Sequence, residues 1–316
     1  MVRKTDRLVT LFGGGGFIGR YVAQTLLARG QRVRIVQRDP RGAFFLKPLA
    51  SLGQIQFAAG DVTSEASVVR ALHGSDAVVN LVGILKGNFD LVHRVGAHNV
   101  AAAAAAAGVE TLVQISAIGA DADSESRYGR SKGEGEAAVR GAFADATIVR
   151  PSVVFGQEDN FVNRFAAMTR MLPVIPVIRG HWRLQPAHVA DVGQAVALAA
   201  LDPRAHAGKT YELGGPQVMT MRDLTDFIAN RTGRGSKAVA DIPDPVGRII
   251  ARGAGWLPAA PITWDQWLMM QTDSVAAEGA PGFEAFGIAP SPLAAVAEGW
   301  LTSYRRSGRF AAKSPY

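Results

Sequence analysis

The 316-residue sequence contains no cysteine. This absence excludes disulfide bonds, thiolate metal sites and a cysteine nucleophile, and it fits a reducing compartment. Six histidines are present, but they do not fall into a metal-ligand spacing. His93 and His98, for example, are five residues apart, which directs them to different sides of a helix. We therefore expect no metal site.

The sequence also lacks a recognisable targeting segment and any long apolar run. Charged residues follow Met1, and the first apolar run, residues 8–12, is far shorter than the core of a signal peptide. No apolar stretch approaches the ~20 residues that a membrane span needs. The alanine run at 101–107 is too short and too weakly apolar to insert. These absences predict a cytoplasmic protein.

Charge of one sign is only moderately in excess. The chain has 34 Lys and Arg against 27 Asp and Glu, which gives a formal net charge of +7. Because acidic and basic residues are mixed, we do not expect a nucleic-acid-binding protein. An anionic cofactor, a membrane surface and an acidic protein partner explain the basic excess equally well.

Short β-branched runs alternate with helix-length segments through the first half of the sequence. The predicted strands are residues 8–12, 32–37, 55–58, 77–81, 111–115 and 146–149. The predicted helices lie near residues 16–29, 64–73, 90–108 and 129–143. This alternation predicts an α/β protein with a Rossmann-type doubly wound parallel sheet and right-handed crossovers.

The alternation ends after Pro151, where proline, glycine and tryptophan become more frequent. We therefore expect residues 1–155, completed by 187–214, to form an NAD(P)-binding Rossmann domain. Residues 156–186 and 215–316 are expected to form a smaller C-terminal α/β domain that serves a substrate or a partner.

A run of four glycines, Gly13 to Gly16, follows the first predicted strand, and Phe17, Ile18 and Gly19 complete a G-x-x-G-x-x-G spacing. Such a turn lets the backbone approach a pyrophosphate with no Cβ in the way. The helix that follows offers free N–H groups and the positive end of its dipole to the phosphates. We predict that this loop binds a dinucleotide.

The residue after the second predicted strand indicates which dinucleotide. NAD-binding sites usually place an acid there for the ribose 2′-hydroxyl, whereas Arg38 suits a 2′-phosphate. Asp39 follows directly, so a shift of one residue would favour NAD(H). We predict NADP(H) as the preferred cofactor and keep NAD(H) as the alternative. Asp61 and Val62, after the third strand, are placed either to contact the adenine or to begin a helix.

Tyr128 and Lys132 are four residues apart, so they lie one above the other on a helix. A nearby ammonium lowers the pKa of a phenol, which lets the tyrosine exchange a proton while hydride moves to or from a nicotinamide. Ser116, at the end of the fifth predicted strand, is placed to hold a substrate oxygen. Ser124 and Ser126 are the competing hydroxyls. We name Tyr128, Lys132 and Ser116 as the candidate catalytic residues.

Several motifs together resemble the extended and atypical short-chain dehydrogenase/reductase superfamily: the glycine loop, Asp61, the Tyr128/Lys132 pair and the segment 150–156. More closely, the chain resembles the nucleotide-binding accessory subunit family of mitochondrial-type respiratory complex I, which also has bacterial relatives. The matching stretches run through nearly the whole chain: residues 80–85, 116–121, 128–132, 154–161, 213–216, 263–266 and 299–301.

This resemblance implies a tightly held NADPH, a role in assembling or stabilising the complex, and no established turnover. It adds Leu81 to the cofactor-binding residues and implies that Lys132 also contacts the nicotinamide ribose. It also implies complex I subunits as partners and raises a peripheral position at the cytoplasmic face of the inner membrane. His93 stands where sugar-processing relatives carry an asparagine, which counts against a nucleotide-sugar epimerase.

Three hypotheses follow: an NADPH-holding accessory protein, a free reductase or dehydrogenase that uses Tyr128 and Lys132, and a nucleotide-sensing regulator. The Tyr/Lys pair disfavours the regulator, which would not need it. A bacterial chain of this kind need not belong to complex I, so the reductase stays open.

Trp256, Trp264, Trp267, Met269 and Met270 form an aromatic and thioether stretch near the C-terminus. Packing inside a small domain is its ordinary explanation. A partner or lipid surface, with Trp264 and Trp267 as exposed anchors, is the alternative.

Overall fold

The computed structural model describes residues 6–233, 239–254 and 262–305. The chain divides into two compact units. The first contains the residues up to Pro151 together with Val189–Leu213 and Ala276–Ala289. The second contains Ser152–His188, Gly214–Val275 and the residues from Pro290 onwards.

Residues 276–289 thus belong to the first unit, whereas our predicted boundaries place them in the smaller domain. The reason is local pairing with the strand that precedes Gly214. The N–H of Glu212 donates to the carbonyl of Pro281 at 3.0 Å, and the N–H of Ala277 donates to the Glu212 carboxylate at 2.8 Å.

Thirteen strands are found in the described residues. In chain order they are β1 Leu8–Phe12, β2 Arg32–Gln37, β3 Ile55–Ala59, β4 Ala77–Asn80, β5 Thr111–Ile115, β6 Thr147–Pro151, β7 Val154–Phe155, β8 Ile175–Ile178, β9 Arg183–Leu184, β10 Ala187–His188, β11 Thr210–Leu213, β12 Met219–Thr220 and β13 Val239–Ile242.

Eleven α-helices are found in the same residues. They are α1 Phe17–Ala28, α2 Glu65–Leu72, α3 Gly96–Ala106, α4 Arg127–Ala142, α5 Val162–Met171, α6 Val189–Leu201, α7 Pro203–His206, α8 Met221–Arg231, α9 Asp244–Ala254, α10 Trp264–Met269 and α11 Leu293–Leu301. Helical segments of other types are Pro40–Leu49, Phe283–Phe286 and Thr302–Tyr304 (3₁₀) and Asp90–Val95 (π).

Seven strands of the first unit form one parallel sheet in the order β11-β6-β5-β4-β1-β2-β3. The order reverses between β1 and β4, so the carboxyl ends of these two strands border the crevice in which such sheets bind ligands. The predicted Rossmann-type doubly wound sheet is confirmed.

Helices cover the sheet, and alternate strand residues supply its core. Phe12, Val78 and Ile148 join one cluster with buried residues of α2 and α3, because successive strand side chains point to opposite faces. Elsewhere in the unit α1 packs against α6. Gly193 permits that approach, since a Cβ there would lie 2.7 Å from the Cβ of Tyr21.

The predicted helix 90–108 is not one uniform helix. It begins as the π-helical segment Asp90–Val95 and continues as α3. His93, in the π segment, is buried, whereas His98, in α3, is exposed. The wider turn places the His93 ring inside the unit, next to the N-terminal part of α4.

The second unit contains three two-stranded sheets: β7 with β10, β9 with β12, and β8 with β13. Its core gathers Phe155, Trp182, Leu224 and Leu301 with other apolar residues of α5, α8 and α11. Among the described residues, no helix is both long enough and apolar enough to cross a bilayer.

Candidate dinucleotide site

The glycine loop connects the end of β1 to the start of α1. The Gly13 N–H donates to the Val36 carbonyl at 2.9 Å, and the Gly16 N–H donates to the Gly13 carbonyl at the same distance. Gly13 has a φ of 78°, in the left-handed region that favours glycine. Gly16 caps α1 without any side-chain hydrogen bond. Among the residues that the structure describes, no side chain caps the first N–H groups of α1, as suits a phosphate-binding helix.

The glycines of this loop have different roles. A Cβ at Gly14 would lie 2.8 Å from the Ile35 side chain, and one at Gly19 would overlap the backbone of Gly13 and Gly14. These two glycines are needed for packing within the protein. A Cβ at Gly16 would meet a single atom, the Gly13 carbonyl oxygen at 3.1 Å, and Gly16 is exposed. Gly16 is therefore the member of the run whose missing side chain leaves space for a ligand.

Arg38 lies exposed directly after β2. Within the described residues its guanidinium has no hydrogen bond, and its charge helps to lower the pKa of Asp61. The main cause of that lowering is the N–H of Thr63, which donates to the Asp61 carboxylate at 2.9 Å. Asp39, by contrast, accepts two side-chain hydrogen bonds from Arg41, at 3.0 and 3.1 Å.

Val62 and Leu81 follow β3 and β4. Val62 is buried, and its carbonyl accepts a hydrogen bond from the Asn99 side chain at 2.9 Å. The Leu81 N–H donates to the Phe12 carbonyl at 2.9 Å, and a Cβ at Gly13 would lie 3.4 Å from the Leu81 carbonyl carbon. Leu81 therefore lies beside the glycine loop, at the carboxyl edge of the sheet.

Lys132 is almost fully buried, and its Nζ donates to the Ile115 carbonyl at 3.2 Å. Burial lowers the pKa of Lys132 to about 8. Its ammonium lies 5.9 Å from the centre of the Tyr128 ring. We expected this charge to lower the pKa of Tyr128, and that expectation is wrong for the protein without a ligand. Burial raises the pKa of Tyr128 to about 12.

Ser116 is buried at the carboxyl end of β5, where its N–H donates to the Val149 carbonyl at 2.7 Å. Within the described residues its Oγ has no hydrogen-bond partner. The competing hydroxyls have partners: Ser126 Oγ accepts the Gly129 N–H and Ser124 Oγ accepts the Ser126 N–H, both at 3.2 Å. A buried hydroxyl without a partner costs about 1–3 kcal/mol, so Ser116 is placed to receive a ligand oxygen.

His93 belongs to this cluster, although the sequence analysis did not assign it a role there. Its Nε2 accepts the Ile84 N–H at 3.0 Å, so in the neutral ring Nδ1 carries the proton and donates to Ser131 Oγ at 2.9 Å. Ser131 in turn donates to the Tyr128 carbonyl at 2.8 Å. Burial, with a smaller effect of the Lys132 charge, lowers the pKa of His93 to about 3. A neutral His93 thus ties the turn after β4 to α4.

Helix α4 approaches its neighbours closely because of its glycines. A Cβ at Gly135 would overlap the His93 carbonyl, and one at Gly133 would overlap the backbone of Asp121 and Ala122. One turn after Lys132, Glu136 forms a bidentate pair with Arg150 of β6 at 2.7 and 2.9 Å. These contacts fix the helix that carries Tyr128 and Lys132.

The structure also tests the aromatic stretch of the second unit. Trp267 is only 5% exposed and packs with Ala251 and Ile262. It is therefore a core residue, and the suggestion that it is an exposed anchor is wrong. Trp264 is partly exposed, and the guanidinium carbon of Arg252 lies 5.5 Å from the centre of its ring. Trp256 lies outside the described residues.

Comparisons with known proteins agree with a dinucleotide site. Residues 13–169 match the family described as NAD(P)H-binding. The NADH dehydrogenase (ubiquinone) 1 alpha subcomplex subunit 9 of Rattus norvegicus mitochondria is 35% identical, over 90% of this chain and 77% of that protein. The ceramide reductase of Caulobacter vibrioides is 32% identical, over 58% of each protein.

A solved structure resembles the chain over nearly its full length. An NAD⁺-bound enzyme of Bordetella bronchiseptica superposes with a TM-score of 0.68, over 96% of this chain and 99% of that enzyme. The two sequences are 20% identical, so this likeness supports the fold alone.

Proposed function

Because the chain belongs to the family of the respiratory complex I accessory subunit, NADH dehydrogenase (ubiquinone) 1 alpha subcomplex subunit 9, we propose that it is an NADP(H)-binding protein with a structural role in that complex. The extent of the similarity carries the proposal. The NAD(P)H-binding family matches residues 13–169, whereas the similarity to the accessory subunit covers 90% of the chain. Most of the second unit is not needed to bind phosphates, so its similarity favours a role beyond cofactor binding.

The residues of the first unit fit a dinucleotide. The open position at Gly16 and the uncapped start of α1 suit the pyrophosphate, with Phe17 and Ile18 in the first helical turn. Asp61 and Val62 are proposed to contact the adenine. Leu81, beside the glycine loop, is proposed to contact the cofactor, and Lys132 is assigned to the nicotinamide ribose, following the resemblance.

NADP(H) is the proposed cofactor because of how charge is arranged after β2. Asp39 holds Arg41 in a bidentate pair and caps the 3₁₀ segment, so its carboxylate is already engaged. The Arg38 guanidinium has no hydrogen bond within the described residues, and it is exposed. A free guanidinium suits a 2′-phosphate, which accepts two parallel hydrogen bonds from it.

Arg38→Ala is expected to weaken NADPH binding about tenfold and to leave NADH binding nearly unchanged, since only NADPH carries the 2′-phosphate. A charge-assisted hydrogen bond of this kind is worth roughly 1.5–3 kcal/mol. Titration of nucleotide-free protein with each cofactor measures the effect. Arg29→Ala, an exposed cation after α1, is the matched control. Equal affinities in the wild type, or a preference that Arg38→Ala leaves intact, would contradict the assignment.

A second candidate function is a free NADP-dependent oxidoreductase that acts on a carbonyl or alcohol. The buried, unpartnered Ser116 Oγ favours it, because such a hydroxyl suits a substrate oxygen. In this function the cofactor supplies or accepts the hydride. Tyr128 would exchange the proton of the substrate oxygen, and Lys132 would hold the ribose. The pKa of about 12 keeps Tyr128 protonated at neutral pH but makes its phenol a weak acid, so this function requires the bound cofactor and substrate to lower that pKa.

For the accessory role we propose complex I subunits as the partners and a peripheral position at the cytoplasmic face of the membrane. We expect deletion of the gene to lower the amount of assembled complex on native gels. Complementation with either the wild-type chain or Tyr128→Phe should restore it, because the phenol is not needed for a structural role.

The same strains distinguish the two functions. If assembly is unchanged in the deletion strain and the defect lies in metabolism instead, complementation by the wild type but not by Tyr128→Phe would establish the oxidoreductase. Restored assembly in both complemented strains would exclude a catalytic requirement in assembly.

A further inference from the structure

The basic excess of the chain lies in one part of the sequence. Residues 7–60 contain eight Lys and Arg and a single acid, Asp39, an excess of seven that equals the net charge of the whole chain. This part forms β1, α1, β2, the 3₁₀ segment Pro40–Leu49 and β3. Two of these cations, Arg7 and Arg32, pair with Glu110 and Asp6 outside this part of the sequence, which leaves an excess of about five. This edge of the first unit therefore attracts anions.

The same edge exposes large apolar side chains. The segment Pro40–Leu49 buries only Ala43 and Leu46 completely, three residues apart as one 3₁₀ turn places them. The apolar side chains that remain exposed are Phe44 (39%), Phe45 (46%), Leu49 (47%) and Leu52, which is fully exposed. Leu52 projects from a turn completed by Gly53, whose φ is 77°.

Cations lie on these rings. Lys47 Nζ lies 3.5 Å from the centre of the Phe44 ring, and the Arg20 guanidinium lies 4.7 Å from that of Phe45. No acidic residue occurs between Pro40 and Gly60. Exposed aromatic and leucine side chains that alternate with cations are the composition of surfaces that rest on anionic lipid.

We infer that one surface of the first unit binds the anionic phospholipid surface of a membrane. This surface, called the Phe44–Leu52 surface below, consists of Phe44, Phe45, Lys47, Leu49 and Leu52. The inference rests on the peripheral position at the membrane proposed above, and it names the residues that make the membrane contact. The apolar side chains enter the headgroup region, and Lys47 pairs with lipid phosphates. A fluid lipid surface accepts side chains that project singly, such as Leu52, whereas a protein partner needs a complementary surface of about 800 Å².

Sedimentation of the purified full chain with vesicles tests this. Vesicles of phosphatidylcholine mixed with phosphatidylglycerol should bind the protein, those of phosphatidylcholine alone should bind it at least about tenfold less, and added salt should weaken the binding. Lys47→Glu and the double variant Phe45→Ser/Leu52→Ser should each lower partitioning about tenfold.

Val69→Ser and Arg70→Glu are the matched controls, since these exposed apolar and basic residues lie on α2 of the same unit, outside residues 7–60. Thermal unfolding checks that each variant is folded.

Equal binding to both vesicle types, no binding, or binding that the surface variants do not reduce would overturn the inference. If vesicles do not bind but Lys47→Glu detaches the chain from assembled complex I, the occupant is an acidic protein surface. The assay contains neither dinucleotide nor complex, so its failure leaves the proposed cofactor and assembly role unaffected.

Discussion

Gly16→Val is expected to weaken NADPH binding by at least about a hundredfold, the equivalent of ~2.7 kcal/mol, while the protein stays folded. A valine side chain would project from the exposed start of α1 into the space that the pyrophosphate needs. It would also prevent the phosphate from reaching the first N–H groups of the helix. Titration of nucleotide-free protein with NADPH measures the affinity, and circular dichroism shows whether the variant is folded.

Gly141→Val is the matched control, because a Cβ at Gly141 meets nothing within 4 Å and the residue lies near the end of α4. It should cost some helix stability and leave NADPH affinity unchanged. Normal affinity in a folded Gly16→Val variant would mean that the phosphates do not lie at this helix. In that case the glycine run would serve only the packing seen at Gly14 and Gly19.

Lys132→Met is expected to stabilise the nucleotide-free protein at pH 7 and to weaken dinucleotide binding. Burial lowers the pKa of Lys132 from 10.5 to about 8, a displacement that corresponds to about 3 kcal/mol of unfavourable free energy for the charged form. Removing the ammonium also removes its hydrogen bond to the Ile115 carbonyl, worth ~1 kcal/mol. The net expected gain in the free energy of unfolding is about 2 kcal/mol.

The pH dependence identifies the cause. Between pH 8 and 10.5 the unfolded chain holds the Lys132 proton and the folded chain does not, so the wild-type free energy of unfolding should rise with pH through this range. The difference between the wild type and Lys132→Met should therefore shrink from pH 8 to 10.5 and be nearly constant below pH 8. Denaturant titrations at several pH values measure it.

Lys86→Met, at an exposed lysine, should show neither the gain at pH 7 nor the change with pH. Two results would mean that the buried ammonium does not destabilise the folded protein. One is a Lys132→Met variant that is less stable than the wild type at pH 7, and the other is a difference in the free energy of unfolding that does not change with pH. The expected combination, higher stability with weaker binding, is that of a charge kept buried for a ligand.

The sequence predicted the elements of the first unit because local patterns determine them. Buried parallel strands appear as short β-branched runs, and the helices between them have the length of a crossover, so the alternation alone implied the sheet. The boundary at 276–289 was missed because that segment carries no strand pattern and joins the first unit through pairing with Glu212, which is distant in sequence.

In the candidate site, too, the sequence predicted local features and missed those that depend on burial. The glycine run, Arg38 after β2, and the four-residue spacing of Tyr128 and Lys132 are local features, and one strand–loop–helix unit is enough to interpret them. The pKa of Tyr128 was predicted in the wrong direction because burial, which spacing does not report, raises it.

The sequence by itself therefore determined the fold class and the family, and it predicted a place for the dinucleotide, since each depends on residues close together in the chain. Only the tertiary structure decided which polar atoms lack a partner and which charges are buried. It singled out Ser116 over Ser124 and Ser126, fixed His93 in one neutral tautomer, and placed Trp267 inside the second unit. Burial and hydrogen bonding join residues that are far apart in sequence, and no local pattern specifies which of them will meet.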